Sequence, residues 1–477
     1  MLPLLTLRPD LTRSVLRLSL QQMPRGAHVL DAGHPALLPD SLIGSGVPRS
    51  GRKGAPEPDD FEMYLLLTAS EYVLHTKDVA FLSHRVRTFN SSGTATVLEL
   101  LLRAMNFTLD TVHVGPHGLL RLLSSDWDDG FKPPADARNI SESVLSSALA
   151  AYALPRWASV LRLAGEHGSA DRADAFAEGL RRAITSTAWD PMGWVRRAWL
   201  GSRAGWVGAS GGPDGGVFSA PAGWALVARV LSGAQQDAQL HSLFQHCRLE
   251  WRRLGFPYRC RAEPLPAGSG AWPAQNHPMV MGLAEVGQVD AAWDEWTRNS
   301  LHRQAGESPS QWLGVWTSSD TMDRGGLPGN WTWAFPALCT HRHAWPLVSF
   351  ARLAGIVPDA HGLRVRPALP PPLGAYSYSS HLAAARWDGM YVWSGFYKPV
   401  VAARWQVEFD FSLVLPAGTN LTVVLTAATD AEPAEPAEGY DGRSQRLDNQ
   451  RSTAPFALRA PVATRKIEWK VTAVPAV

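Results

Sequence analysis

The sequence predicts a mainly α fold, a toroid of helical hairpins followed by a small strand-rich C-terminal region. Three observations carry this. Apolar residues recur at helical spacing up to about residue 355. The helical stretches are joined by loops that alternate between short and long. After Gly355 the apolar period drops to two, the spacing of strands with one wet face.

Residues 11–23 and 59–76 open the helical series, and in the second Phe61, Leu65, Ala69, Tyr72 and Val73 fall on one face. Further helices are expected at 92–110, 142–165, 169–187, 220–232, 236–253, 276–286, 288–304 and 341–355. Asn139 with Glu142 reads as a capping box for the 142–165 helix. The long loops, 34–58, 111–140, 190–219, 255–275 and 305–339, are rich in Trp, Gly, Pro, Asp and Arg. Loops of that length usually carry function, so one rim of the toroid is expected to hold the site. Beyond the helices, 362–367, 405–409, 420–425 and 466–471 alternate as antiparallel strands, and 428–455 is expected to be a mobile loop. These readings place a helical domain at 1–356 and a strand domain at 357–477.

Composition narrows the class. A chain of 477 residues exceeds one ordinary core. Its 45% hydrophobic and 18% charged content is that of a folded protein. A net charge of +2 gives no reason to expect nucleic acid as a partner. The sequence has no run of 18 apolar residues, and no membrane partner is expected. Twenty Trp, with 9 Tyr and 15 Phe, are the wall material of carbohydrate clefts, although any single ring is better read as core filler. Five of eight asparagines, Asn90, Asn106, Asn139, Asn330 and Asn420, sit in glycosylation sequons, which suggests a secretory route; otherwise the protein is cytoplasmic. Cys247, Cys260 and Cys339 allow at most one disulfide and fit no zinc pattern.

The most telling stretch is Ser125-Asp126-Trp127-Asp128-Asp129-Gly130. Three carboxylates this close repel one another and push at least one pKa upward, as a general acid requires. Trp127 adds a flat apolar face of the kind that stacks on sugars. The plain alternative is a solvated acidic turn.

Five stretches, in order over roughly 58–370, make the chain resemble the six-hairpin (α/α)6-barrel glycosidases, nearest to glycoside hydrolase family 94, the cellobiose and chitobiose phosphorylase group. They are Pro58–Leu65 running into Glu71–Asp78, the Asp126–Gly130 loop, Glu142-Ser143-Val144, Gly270–Pro273 before Met281–Gly287, and His343-Ala344-Trp345 leading into Gly362–Pro370. The resemblance implies an (α/α)6-type toroid with a closing β-sandwich, and cleavage of glycosidic bonds of di- or oligosaccharides by inversion. Against the family, the large N-terminal β-sandwich is absent and the toroid is expected to lack its first hairpin. The family's D-W-N-D-G loop here has Asp128 at its centre, and Thr340–His343 replace small residues, which puts phosphorolysis in question.

The resemblance aligns Asp129 with the general acid and Asp59 and Asp60 with sugar contacts; the last two could instead cap the helix that follows. Asp126, Trp127, Asp128 and Trp272 would line the sugar subsites. An inverting hydrolase also needs a carboxylate base, about 6.5–9.5 Å from the acid. Asp320 is the candidate, with an Asx turn as the other reading. A phosphorylase needs an anion site instead, and His341, Arg342 and His343 at the start of the last helix suit one, or suit sugar binding together with Trp345. No cofactor is expected and inorganic phosphate would be a co-substrate. Family members often pair, which makes a homodimer the expected partner beside the oligosaccharide. Two other readings stand. One is a carbohydrate-binding scaffold without turnover. The other is a polysaccharide lyase, which the acidic loop argues against because it would repel a uronate.

Overall fold

The computed structural model describes residues 2–21, 60–87, 93–123, 125–128, 131–137, 139–247, 253–260, 270–307, 322–324, 331–333, 340–370, 375–388, 392–400, 406–409, 419–428, 445–447, 456–459 and 466–475. Thirteen α-helices lie among the described residues. They are α1 (Leu2–Leu7), α2 (Pro9–Gln21), α3 (Phe61–Thr76), α4 (Val97–Asn106), α5 (Val144–Leu163), α6 (His167–Ser186) and α7 (Gly201–Ala204). After them come α8 (Ser219–Val227), α9 (Gly233–His246), α10 (Pro273–Glu285), α11 (Val289–Arg298), α12 (Leu301–Glu307) and α13 (Thr340–Leu353).

Packing sorts the helices into two layers. α3, α5, α8 and α10 are buried on almost every side. α6, by contrast, buries mainly a stripe of alanines, Ala170, Ala173 and Ala177. The expectation of one apolar face on α3 is therefore corrected: Glu62, Ser70 and Glu71 are buried as well. Neighbour contacts run from α1 to α3, α5, α8, α10 and α13, and from α13 back to α1. α2, α4, α6, α9 and α11 back this series from outside. α1, a short helix ahead of the expected 11–23 helix, joins the start of this series by contacts with α2, α3 and α13. α5 is apolar and long enough to cross a membrane, but 78% of its most apolar window is buried against other helices, the state of a core helix.

The cap of α5 differs from the sequence reading. Glu142-Ser143 is a short strand paired with Ala198-Trp199, and the N-cap is Ser143, whose Oγ accepts from the Ser146 amide. Such a cap is worth about 1 kcal/mol. The expected helix at 288–304 breaks into α11 and α12.

Strands take over from Ile356. A four-stranded sheet joins Ile356–Pro358, Gly362–Val365, Gln406–Phe409 and Phe456–Arg459. A six-stranded sheet joins Ala375–Ser379, Ala383–Asp388, Val392–Tyr397, Lys466–Pro475, Thr419–Ala428 and Gln445–Leu447. All pairs are antiparallel except Gly362–Val365 with Gln406–Phe409, which run parallel against expectation. The 428–455 loop lies outside the described residues apart from Ala428 and Gln445–Leu447. The strands dock on the helices through polar contacts: Tyr397 Oη donates to the His75 carbonyl, and Lys77 Nζ to that of Asp359.

Candidate active site

The Asp126 loop is fixed by what it buries. Asp126 is fully shielded from solvent, and its carboxylate takes a fork from Arg197, Nη1 to Oδ2 at 2.6 Å and Nη2 to Oδ1 at 2.8 Å. Ser143 Oγ donates to Oδ2 at 2.7 Å, and the Asp128 amide donates to Oδ1 at 3.1 Å. One hydroxyl thus caps α5 and anchors the acidic loop. Arg197 is equally buried, and its guanidinium carbon lies 4.1 Å from the Phe131 ring centroid. Its backbone is locked in the small sheet of 142–143, 198–199 and 206–207, donating to the Val207 carbonyl and accepting from the Val144 amide.

Asp128 is also buried and accepts from Tyr258 Oη at 2.8 Å. Arg197 Nε donates to the same phenol oxygen at 2.9 Å. Burial, together with the nearby Asp128 and Asp126, pushes the phenol's pKa well up, so Tyr258 stays a neutral donor. The chain Asp126–Arg197–Tyr258–Asp128 is therefore continuous. Arg197 thus offsets Asp126, and a hydroxyl holds Asp128; Asp129, the third carboxylate of the loop, lies outside the described residues. Buried carboxylates persist only when compensated in this way.

Tyr258 in turn builds the aromatic wall. It stacks on Trp272 at 5.4 Å between centroids, and Trp272 meets Trp127 at 5.1 Å. The segment that carries Tyr258 is pinned on both sides. Glu295 Oε1 accepts from the Phe256 amide, and Asn276 Nδ2 donates to the Phe256 carbonyl. Gly255 has φ +95°, and a Cβ there would meet Asn276, Asn299 and Glu295 atoms at 2.6 Å, so only glycine fits. On the other side Cys260 forms a disulfide with Cys247. A loop of this length gains about 3 kcal/mol from such a link.

Of the residues singled out in the sequence, Asp126, Trp127, Asp128 and Trp272 come together here. Asp60 is buried at the N-cap position of α3, as the capping alternative had it, though its side chain makes no cap hydrogen bond. His341, Arg342 and His343 fall in the first turn of α13. Trp345, one turn on, meets Trp224 at 6.4 Å and lines a separate cavity with Tyr152, Glu71 and Arg352. Asp59, Asp129 and Asp320 lie outside the described residues.

Three residues escaped the sequence reading. Arg197 and Tyr258 lie in the two long loops flagged as functional, but only their partners reveal them. Glu62 is the third. It is fully buried, neither carboxyl oxygen has a hydrogen-bond partner among the described residues, and burial beside Asp60 pushes its pKa up to about 8. It therefore carries a proton at neutral pH.

The catalytic-domain model of the glycosyl hydrolase 94 superfamily matches residues 1–249. An N,N'-diacetylchitobiose phosphorylase of Vibrio furnissii is 27% identical over 134 residues, which is 28% of this chain and 16% of that protein. The match thus spans a small part of the relative's length. Among solved structures, an alpha-L-rhamnosidase from Dictyoglumus thermophilum aligns over 97% of this chain and 45% of its own, with TM-score 0.54 and 10% identity. A sialidase aligns over 69% of this chain and 30% of its own, with TM-score 0.50 and 12% identity. The structural likenesses are likenesses of fold.

Proposed function

We propose, from the premise that the chain belongs to the glycosyl hydrolase 94 superfamily, that it cleaves glycosidic bonds of di- or oligosaccharides by inversion. The observation that carries this reading is the clamp on the acidic loop. A buried Arg197 fork and the Tyr258 hydroxyl hold Asp126 and Asp128 rigid against an indole wall of Trp127 and Trp272. A catalytic carboxyl needs such a fixed frame, because a displacement of about 1 Å costs on the order of a hundredfold in rate.

In this reading the contact series from α1 to α13 is the (α/α)6 toroid and the C-terminal strands are its closing sandwich. The division falls near residue 357. Asp129, one residue past the clamp, protonates the leaving oxygen. Trp127 and Trp272 stack on the sugar and exclude water. Asp59 and Asp60 take sugar hydroxyls. Water activated by Asp320, or phosphate held at the 341–343 turn, attacks the opposite face of the ring. Phosphate would be consumed as a co-substrate.

A second reading, a sugar-binding protein without turnover, draws on one observation. Two of the three loop carboxylates are already engaged with Arg197 and Tyr258. Turnover of β-linked disaccharides with and without inorganic phosphate separates the readings. Phosphate-dependent sugar 1-phosphate marks phosphorolysis; free sugar from both halves marks hydrolysis. Asp129→Asn is expected to abolish either and leave the fold intact. An unchanged rate in that variant removes Asp129 from its role. Sugar binding without any turnover favours the second reading.

A further inference from the structure

The asparagines divide by what their amide nitrogens do, and the chemistry above leaves that division unused. Among the described residues, Asn276 and Asn299 are buried, at 0% and 3% exposure. Their Nδ2 groups are spent inside the fold. Asn276 donates to the Phe256 carbonyl at 3.0 Å, and Asn299 donates to Glu295 Oε1 at 2.9 Å. Neither lies in an N-x-[ST] sequon. Asn106 and Asn139 both do, in Asn106-Phe107-Thr108 and Asn139-Ile140-Ser141, and both are exposed. Asn106 is engaged through its oxygen, which accepts from Arg172 Nη1 at 2.9 Å, a contact that leaves Nδ2 for another bond.

The sequon hydroxyls point the same way. Ser141 is fully buried, and its Oγ has no hydrogen-bond partner among the described residues. A buried hydroxyl left unsatisfied costs about 1–3 kcal/mol, so the folded state would do better with alanine there. Thr108 is also fully buried, its Oγ1 donating to the Ala104 carbonyl at 3.4 Å. The acceptor signal for an N-linked sugar includes this hydroxyl two residues past the asparagine. Ser141 and Thr108 are out of an enzyme's reach once the chain has folded, so that signal is read beforehand. Ile140, beside Asn139, keeps 41% of its surface in water, where a bulky hydrophilic sugar would cover it.

An independent feature agrees. Cys247 and Cys260 form a disulfide and are both fully buried. Disulfides form and persist in oxidising compartments, among them the lumen in which N-linked sugars are attached. We propose that Asn106 and Asn139 carry N-linked glycans, attached in the lumen of the secretory pathway before the chain folds. The donor is an oligosaccharide carried on a polyprenyl diphosphate, and a membrane-bound transferase supplies the catalysis. The bond from the sugar's anomeric carbon to the diphosphate oxygen breaks, and a bond from that carbon to Nδ2 forms. The amide gives up one proton, and the polyprenyl diphosphate leaves. Asn139 stands four residues ahead of Ser143, whose hydroxyl anchors Asp126, so one glycan belongs to the segment that leads into the acidic loop.

Peptide mass spectrometry of the full chain, purified from its own cells, tests this. The protein is treated with a glycan-releasing amidase in heavy-oxygen water, which leaves a labelled aspartate wherever a glycan sat. Labels are expected at 106 and 139 and not at 276 or 299. An asparagine found only in its bare form loses the assignment, and two bare asparagines overturn the proposal. Ser141→Ala, made in the same cells, should strip the glycan from Asn139 and leave that on Asn106. Because it removes an unpartnered hydroxyl, it should not lower the urea midpoint of the protein once both forms are deglycosylated. If that variant does not fold, Asn139→Gln, a change at an exposed side chain, should lose the mass of one glycan. A glycan that stays on Asn139 in Ser141→Ala, or an unchanged mass in Asn139→Gln, overturns the assignment of that site.

Discussion

Asp126 and Glu62 are both fully buried carboxyl groups, each close to the start of an inner helix, and they are treated in opposite ways. Asp126 receives four hydrogen bonds, two of them from a guanidinium. Glu62 receives none among the described residues, and its pKa rises to about 8. Burial is the same in both; the partner decides the charge. Glu71 makes the point again: burial alone would raise its pKa, but Arg156 and Arg352 bring it down to about 2. Two neighbouring inner helices, α3 and α5, therefore begin beside a protonated carboxyl and a carboxylate clamped by a guanidinium.

The strongest way to break this contrast is Arg197→Met. It strands Asp126 as an unpaired buried charge and should cost about 3–5 kcal/mol in urea denaturation. The double variant Arg197→Met with Asp126→Leu should regain most of that, because the stranded charge is gone. A single-variant loss below 1 kcal/mol would mean that the fork does not hold the loop.

The next effect concerns Glu62. Its folded pKa of about 8 lies above the ordinary carboxyl value of 4.5, so the folded state keeps a proton that the unfolded state releases. Stability should fall as pH rises from 4.5 to 8 and level off above that. Glu62→Gln should flatten this slope and stabilise the protein at pH 8 by on the order of 2 kcal/mol. Parallel denaturation curves at pH 5 and pH 8 would read it; identical slopes in the two proteins would assign the proton elsewhere.

Smallest is Asp128→Asn. The amide oxygen still accepts from Tyr258, so the melting temperature should drop by no more than about 1 kcal/mol would produce. A larger drop would show that the negative charge itself, and not the hydrogen bond, orders the wall.

The same contrast explains what was legible in the sequence. Helices and strands announce themselves by local period, so the helical series and the later strands could be read from spacing alone. The Asp126 loop stood out because its three carboxylates are adjacent in sequence. Its real organiser, Arg197, is 71 residues away, and nothing local distinguishes it from Arg196 beside it. Tyr258 is 130 residues from the Asp128 it serves. Glu62 was invisible for another reason: a charged residue in an apolar helix suggests a wet face, and α3 has none there. The apolar-face reading of α3 failed because an inner helix is covered by neighbours on all sides.

The contact between α1 and α13 has a consequence for how the molecule comes into being. It joins Leu2–Leu7 to Thr340–Leu353, almost the whole helical region apart in sequence. Closing so long a loop costs entropy that no early contact repays, and topologies rich in such contacts fold slowly. During synthesis α3, α5 and α8 emerge with their apolar sides uncovered and must wait for the last helix to shut the series. The molecule is thus most prone to aggregate while α13 is still unmade, and its assembly depends on what shields those helices until Leu353 leaves the ribosome.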